Sequence, residues 1–198
     1  MSAPVLLVAT GNPGKLREIR SILADLPVRW HTLADHPEVR LPEEGDDYAD
    51  NAVAKALAAA RASGLRAVAD DSGLEVSGLG GRPGPHSARY GGPGLDDAGR
   101  VAHLLGEMQG LAGAARDARF RCVAALATPD GRVATAEGVC PGRILEAPRG
   151  DGGFGYDPVF WSSEHEQPMA ELSEEQKNRI SHRGRAFQAL RSAIEAEL

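Results

Sequence analysis

An apolar run that breaks at a Gly-rich turn and passes straight into a helical period is the feature that most constrains this chain. Val5-Leu6-Leu7-Val8-Ala9 reads as a buried strand. Thr10-Gly11-Asn12-Pro13-Gly14-Lys15 ends it, and Leu16, Ile19, Leu23 and Leu26 then recur at helical spacing. A strand that leads through such a turn to a helix start builds an anion site. The turn N–H groups point at the ligand, the helix dipole favours negative charge, and Lys15 adds a mobile cation. The spacing is not a P-loop, because Leu16 follows the lysine and Gly11 stands too close to Gly14. It is not the dinucleotide Gly-x-Gly-x-x-Gly either. Taken alone, the run reads equally well as an ordinary strand–turn–helix connection.

The pattern that follows is α/β. Val28 to Leu33 reads as a strand, and Pro42-Glu43-Glu44-Gly45-Asp46-Asp47 as an acidic loop. Ala49, Ala52, Val53, Ala56, Leu57 and Ala60 mark one helical face, ended by Gly64. Ala67-Val68-Ala69 enters a strand through Asp70-Asp71-Ser72-Gly73 that Leu74 and Val76 continue. Gly78 to Gly94 is loop, and Val101 to Met108 is a helix opened by Asp96 or Asp97. Phe120 to Ala127 and Arg132 to Val139 are strands joined by Thr128-Pro129-Asp130-Gly131, which is hairpin chemistry. A second Gly-rich loop, 150–158, leads to Val159-Phe160-Trp161. The C-terminus is helical through Ala186, Phe187, Leu190 and Ile194, with Ser181 as a cap. These elements predict an α/β fold with a mixed sheet, parallel early and antiparallel in the hairpin.

Size and charge exclude several classes. The 198 residues suit one domain, 1–198, with two lobes. The formal net charge of -6 argues against a dedicated nucleic-acid surface. No run approaches the length of a membrane span, and no basic-flanked leader is visible, so a cytoplasmic location is expected. Cys122 and Cys140 lie in strand-like runs and read as buried free thiols.

Several constellations carry chemistry. Asp70 and Asp71 end an apolar run, where carboxylates are costly unless compensated. On a strand they point to opposite faces, so one reaches a cleft while the other braces the turn or faces a cation. A carboxylate there suits Mg²⁺; an Asx-turn would use the same letters. Glu43 and Glu44 matter if they meet Asp71 on a shared ion, and are otherwise a solvated run. Asn51 and Lys55 share a helix face, with Lys55 reading as solvent-facing or as a phosphate contact. Phe154 in Gly-Gly-Phe-Gly-Tyr-Asp offers a ring to a base, or plugs a sheet edge. Asp157 reads as a turn former or an acceptor for a base. Lys177, Ser181, His182 and Arg183 gather cations near a helix start, against the dipole, which hints at an anionic or carbonyl-bearing ligand. Pairing with Glu171, Glu174 or Glu175 would also satisfy them.

Together these segments resemble one family. Val8 to Lys15, Asp50-Asn51-Ala52 with Lys55, Ala69 to Leu74, Ser87-Ala88-Arg89-Tyr90, Gly152 to Pro158 and Ile180 to Gly184 match, in order and over almost the whole chain, the inosine triphosphate pyrophosphatase family. These are the Ham1-like dITP/XTP diphosphatases. The resemblance implies a two-lobed α/β fold around a long mixed sheet flanked by helices, and a homodimer. It implies a Mg²⁺-dependent enzyme converting the purine nucleoside triphosphates XTP, ITP and dITP to monophosphate and pyrophosphate. By position, Thr10, Gly11, Asn12, Pro13, Gly14 and Lys15 would bind the triphosphate, and Lys55 would contact phosphate. Asp71 would be general base and metal ligand. Glu43 would be the other metal ligand, counting back from Asn51-Ala52, although Pro42 and Glu44 depart from the family's acidic-acidic-Thr-Gly run. Ser72, Phe154, Gly155, Tyr156, Asp157, Lys177, His182 and Arg183 would contact substrate, with donors of His182 or Arg183 selecting a 6-oxo purine. Two rival readings are a Maf-like pyrophosphatase of other nucleotides, against which Ser-His-Arg speaks, and a non-catalytic nucleotide-sensing module.

Overall fold

In a computed structural model, which describes residues 3–198, the first apolar run becomes β1 (Val5–Val8) and the helical period α1 (Pro13–Ile22). Then follow β2 (Arg29–Thr32), α2 (Tyr48–Ser63), β3 (Arg66–Val76) and β4 (Pro83–Gly84). Helix α3 (Asp97–Glu107) precedes the long strands β5 (Asp117–Ala127) and β6 (Val133–Ile144). The chain ends with β7 (Phe160–Ser162), β8 (Gln167–Pro168), α4 (Glu174–Ile180) and α5 (His182–Ala196).

One sheet takes these strands in the order β2-β1-β3-β5-β6-β7-β8, with β4 paired to β3. It is mixed. β1 runs parallel to β2 and β3, in register Leu6 with Trp30 and Leu6 with Arg66. The pairs β3–β4, β6–β7 and β7–β8 are antiparallel. The chain divides into two compact units. One holds Met1–Asp71, Cys122–Gly138 and His182–Leu198; the other holds Ser72–Arg121 and Val139–Ser181.

In the first unit the alternation of β1 separates two apolar layers. Leu6 and Val8 pack with Ile19, Ile22 and Leu23 of α1 and with Ala186, Phe187, Leu190 and Ile194 of α5. Leu7 and Ala9 point the other way, onto Ala52, Ala56, Ala59 and Ala60 of α2. Small alanines let α2 lie close to the strands. Its ends are set by Asp47, which accepts from Ala49 N and Asp50 N, and by Gly64 at φ 69°.

The second unit has its own core. Leu74 and Val76 of β3 pack with Leu104 and Met108 of α3, Phe120 of β5, Ile144 of β6 and Phe160 of β7. The Phe120 and Phe160 rings stand 4.4 Å apart, and burying each such side chain contributes ~1.5–3 kcal/mol. Asp96 caps α3 by accepting from Gly99 N.

Helix α4 is absent from the sequence reading. Its seven residues carry too little apolar period to announce a helix, yet Ser173 and Gln176 form a reciprocal capping box at its start. Lys177 therefore lies in the last turn of α4, where the dipole favours a cation, ahead of the α5 start at His182. Both cysteines are buried free thiols, as read. Among the described residues no helix is long and apolar enough to cross a membrane.

Candidate active site

The turn after β1 is built around Asn12. Its backbone is extended, and its Oδ1 accepts from Gly14 N at 2.8 Å and Lys15 N at 3.1 Å. Thr10 Oγ1 accepts from Asn12 N, and Pro13 occupies the first helical position. The Asn12 cap thus takes two of the N–H groups that the sequence suggested for an anion. What the turn presents instead is the ammonium of Lys15, whose side chain is 14% exposed. Lys15 Nζ stands 3.2 Å from Asp70 Oδ2.

Asp71 is the centre of a second group. It is buried on β3 and accepts from Asn51 Nδ2 at 2.8 Å through Oδ2. Its Oδ1 lies 3.4 Å from Lys55 Nζ. Lys55 also donates to Glu44 Oε1. Asn51 holds the acidic loop as well, accepting from Gly45 N at 2.7 Å and donating to Gly45 O at 3.1 Å. Lys55 is therefore a buried member of this cluster and not a solvent-facing side chain of the alanine helix. Burial would push its ammonium pKa down, but Asp70, Asp71 and Glu44 outweigh that and hold it above the usual lysine value. For Asp71 burial wins. With Glu44 adding to it, burial raises the carboxyl above the ordinary range despite Lys55, Asn51 and Lys15.

The acid brought to this cluster is Glu44. Glu43, favoured by counting back from Asn51, is exposed. Of the two acids, Glu44 is the one that meets Lys55.

Asp70 points away from Asp71, into a buried ion group. Its Oδ2 receives Arg183 Nε at 3.1 Å and Nη2 at 2.9 Å, and Arg183 Nη1 donates to Glu18 Oε2 at 2.5 Å. Burial alone would raise the Asp70 carboxyl; Arg183, Lys15 and Lys55 hold it far below the usual carboxylate range. Beside it, burial pushes the Cys122 thiol well up, so Cys122 stays protonated and unreactive. Arg183 is 1% exposed, and its guanidinium is engaged by two carboxylates. The resemblance makes Arg183 a substrate contact; here its side chain is held by Asp70 and Glu18 and links α5 to β3. His182, the first residue of α5, is buried next to it. Gly138 of β6 admits this helix start, since a Cβ there would stand 2.1 Å from His182 O.

In the second unit the Gly-rich loop is held by its own acids. Asp157 Oδ2 accepts from Phe154 N at 2.8 Å and pairs with Lys177 Nζ. Gly153 sits at φ 75°, where a Cβ would meet Asp157 Oδ2 at 2.1 Å, so only glycine fits. Gly155 N donates to Asp97 Oδ2 at 2.7 Å. Lys177 Nζ lies 4.9 Å from the centroid of the Phe154 ring, a cation–π distance. Asp157 is thus engaged within the loop and with Lys177 rather than poised as a solvent-facing acceptor. Tyr156 Oη donates to Ser87 O at 2.9 Å. Ser87 Oγ in turn accepts from Leu74 N at 2.8 Å and donates to Gly84 O at 2.6 Å, which pins β3 just past Ser72.

The comparisons with known proteins follow this geometry. The model of the Ham1 family matches residues 6–193. This chain belongs to the Ham1 family. Its relatives include a dITP/XTP pyrophosphatase of Thermus thermophilus, 52% identical over 95% of this chain and 90% of that protein. That of Desulforamulus reducens is 48% identical over 92% and 91%. Among solved structures, a HAM1 protein from Coxiella burnetii superposes with a TM-score of 0.86 at 36% identity, covering 98% of this chain and all of that one. The nucleoside-triphosphatase / dITP/XTP pyrophosphatase of Mycobacterium abscessus gives 0.74 at 42% identity, over 94% and 97%. The α/β fold of this Ham1 chain is therefore that of its structural relatives.

The sequence assigns no role to Glu18, offers Ser87 only as part of the family resemblance, and offers Asp97 only as a helix opener. Glu18 and Asp97 read as ordinary helix acids, and only the fold brings them to Arg183 and Gly155. Asn51 was visible as a partner of Lys55 in helical spacing, but its bond to Asp71 joins residues twenty positions apart.

Proposed function

We propose that this protein is a nucleoside triphosphate diphosphatase that hydrolyses deaminated purine nucleoside triphosphates, XTP, ITP and dITP, to the monophosphate and pyrophosphate. One observation carries this reading. A buried carboxylate of raised pKa, Asp71, is fixed by Asn51 and Lys55 in a Ham1 family chain.

The reaction needs a water to attack the α-phosphorus in line with the departing pyrophosphate. In this reading Asp71 accepts that water's proton, and its raised carboxyl pKa makes it a stronger base than an exposed aspartate. Asn51 keeps the Asp71 carboxylate in one orientation. Lys15 and Lys55 set fixed positive charge against the negative charge that builds on the leaving group. Lys55 remains charged for this because three carboxylates surround it.

A divalent ion fits the donor set. Asp71 and Glu44 share the cation of Lys55, and the charge of Glu44 raises the Asp71 carboxyl. Two carboxylates of like sign converge there. That suits Mg²⁺, which takes one or two carboxylates and draws its other ligands from water and phosphate oxygens. When bound, the ion neutralises phosphate charge and lowers the pKa of bound water.

The Phe154 ring is offered to the purine, with Lys177 above it. Lys177, His182 and Arg183 are the donors that this reading assigns to substrate, Lys177 being paired with Asp157 and Arg183 with Asp70 and Glu18. A site built of donors rejects adenine's amino group. Family membership supports Mg²⁺, a homodimer and a cytoplasmic location as parts of the same reading. The test is a panel of nucleoside triphosphates with Mg²⁺, read by pyrophosphate release. High kcat/KM for ITP, dITP and XTP over ATP and GTP is expected. Preference for UTP or dTTP would favour a Maf-like enzyme, and binding without release a sensing module.

A further inference from the structure

Lys15 and Glu18 stand three residues apart on α1, and a buried ion chain starts at one and returns to the other. Lys15 Nζ lies 3.2 Å from Asp70 Oδ2 on β3. The same oxygen receives two nitrogens of Arg183 from α5. The far edge of that guanidinium donates to Glu18 Oε2 at 2.5 Å. The chain of contacts thus closes into a ring through α1, β3 and α5. Glu18, Asp70 and Arg183 are buried, and Lys15 is the member that reaches solvent.

Glu18 takes no part in the proton transfer, the metal binding or the phosphate contacts proposed above. A buried carboxylate is nonetheless costly and persists only with strong partners. Its geometric effect is specific. A guanidinium gripped at both edges has one orientation, because its donors form a rigid planar fork. Its grip by Glu18 opposes a pivot about Asp70 Oδ2, the oxygen that Lys15 shares. The ring carries two cations and two carboxylates, so it holds Lys15 without net charge.

We propose that Glu18 is a positioning residue for Lys15: by fixing Arg183 against Asp70, it sets where the Lys15 ammonium stands beside the Asn12-capped turn. The inference rests on the phosphate-binding role of Lys15 in the function proposed above. It requires that Glu18 act through its acceptor oxygen and shape, so Gln, which keeps both, substitutes for it, and Ala does not.

Inorganic tripolyphosphate is the probe, titrated calorimetrically without divalent metal into wild type, Glu18→Gln, Glu18→Ala, Lys15→Met and the Lys15→Met/Glu18→Ala double variant. Thermal unfolding is recorded in parallel. Glu18→Ala is expected to raise Kd about tenfold, the equivalent of ~1.4 kcal/mol, with Glu18→Gln much closer to wild type. In the Lys15→Met background Glu18→Ala is expected to change Kd no further, since the cation it positions is gone. If Glu18→Ala does not fold, Glu18→Met, which keeps the bulk without an acceptor, takes its place in the cycle. Additive losses, equal losses for Gln and Ala, or an unchanged Kd in Glu18→Ala overturn the proposal. Wild type that fails to bind tripolyphosphate overturns the phosphate role of Lys15 as well, an outcome distinct from a wild type that binds and variants that add.

Discussion

Asn51→Ala isolates the contact that orients the proposed base. Asn51 makes three bonds: one to Asp71 at 2.8 Å and two to the backbone of Gly45 at 2.7 and 3.1 Å. They are not of equal worth. Gly45 is exposed, so water replaces the Asn51 amide there at little cost. Asp71 is buried, so its lost donor is replaced by nothing of comparable geometry. A hydrogen bond to a charged group contributes ~1.5–3 kcal/mol, so kcat/KM for ITP is expected to fall by about 10- to 150-fold. Asn51→Asp tests the sign. It keeps the shape but sets a second carboxylate against Asp71, so its loss is expected to exceed that of Ala. The assay is pyrophosphate release over a range of ITP concentrations, with thermal unfolding to confirm the fold. An Ala variant within about twofold of wild type would refute the claim that this bond orients Asp71, given the worth of such bonds.

Phe154→Ala is expected to weaken binding of ITP and XTP alike by ~1–3 kcal/mol, because stacking reads a ring face and not its substituents; unchanged KM for both would make the ring a structural cover. Gly73→Ala would place a Cβ 1.9 Å from Gly84 O and 2.8 Å from Ser87 Oγ. A loss of at least ~1–3 kcal/mol in unfolding free energy is expected from such overpacking, and a wild-type melting temperature would contradict it. Burial and the bond to Glu107 push the Tyr90 phenol up to about 12. Because the folded state holds that proton more tightly than the unfolded chain, stability is expected to fall as pH rises from the ordinary tyrosine value toward 12. Glu107→Gln removes one raising cause, so the Tyr90 phenolate absorbance, isolated by difference against Tyr90→Phe, should appear at lower pH.

Local chemistry was legible in the sequence, and long-range partnership was not. The turn from Thr10 to Lys15 announced itself through Gly and Pro beside an apolar run. The alternation of β1 and the Ala face of α2 gave the parallel start of the sheet. Lys55 shows the limit. Among alanines it looks solvent-facing, and only the arrival of Asp71 from β3 and Glu44 from the loop explains its burial. Glu44, and not the exposed Glu43, makes that contact. Arg183 reads from sequence as a substrate contact by resemblance, or as a cation paired with Glu171, Glu174 or Glu175. Its partners, Asp70 and Glu18, lie 113 and 165 positions away. Helix α4 escaped because its capping box, not an apolar face, defines it.

Hydrolysis of ITP in heavy-oxygen water tests the central claim most directly, with the products of wild type and Asp71→Asn compared by mass spectrometry. Attack at the α-phosphorus by a water that Asp71 deprotonates predicts label in the monophosphate and none in the pyrophosphate. The rate in Asp71→Asn is expected to fall by ~10²–10⁴, the range for loss of a general base. Label in inorganic phosphate or pyrophosphate, or near-normal turnover in Asp71→Asn, would contradict the account.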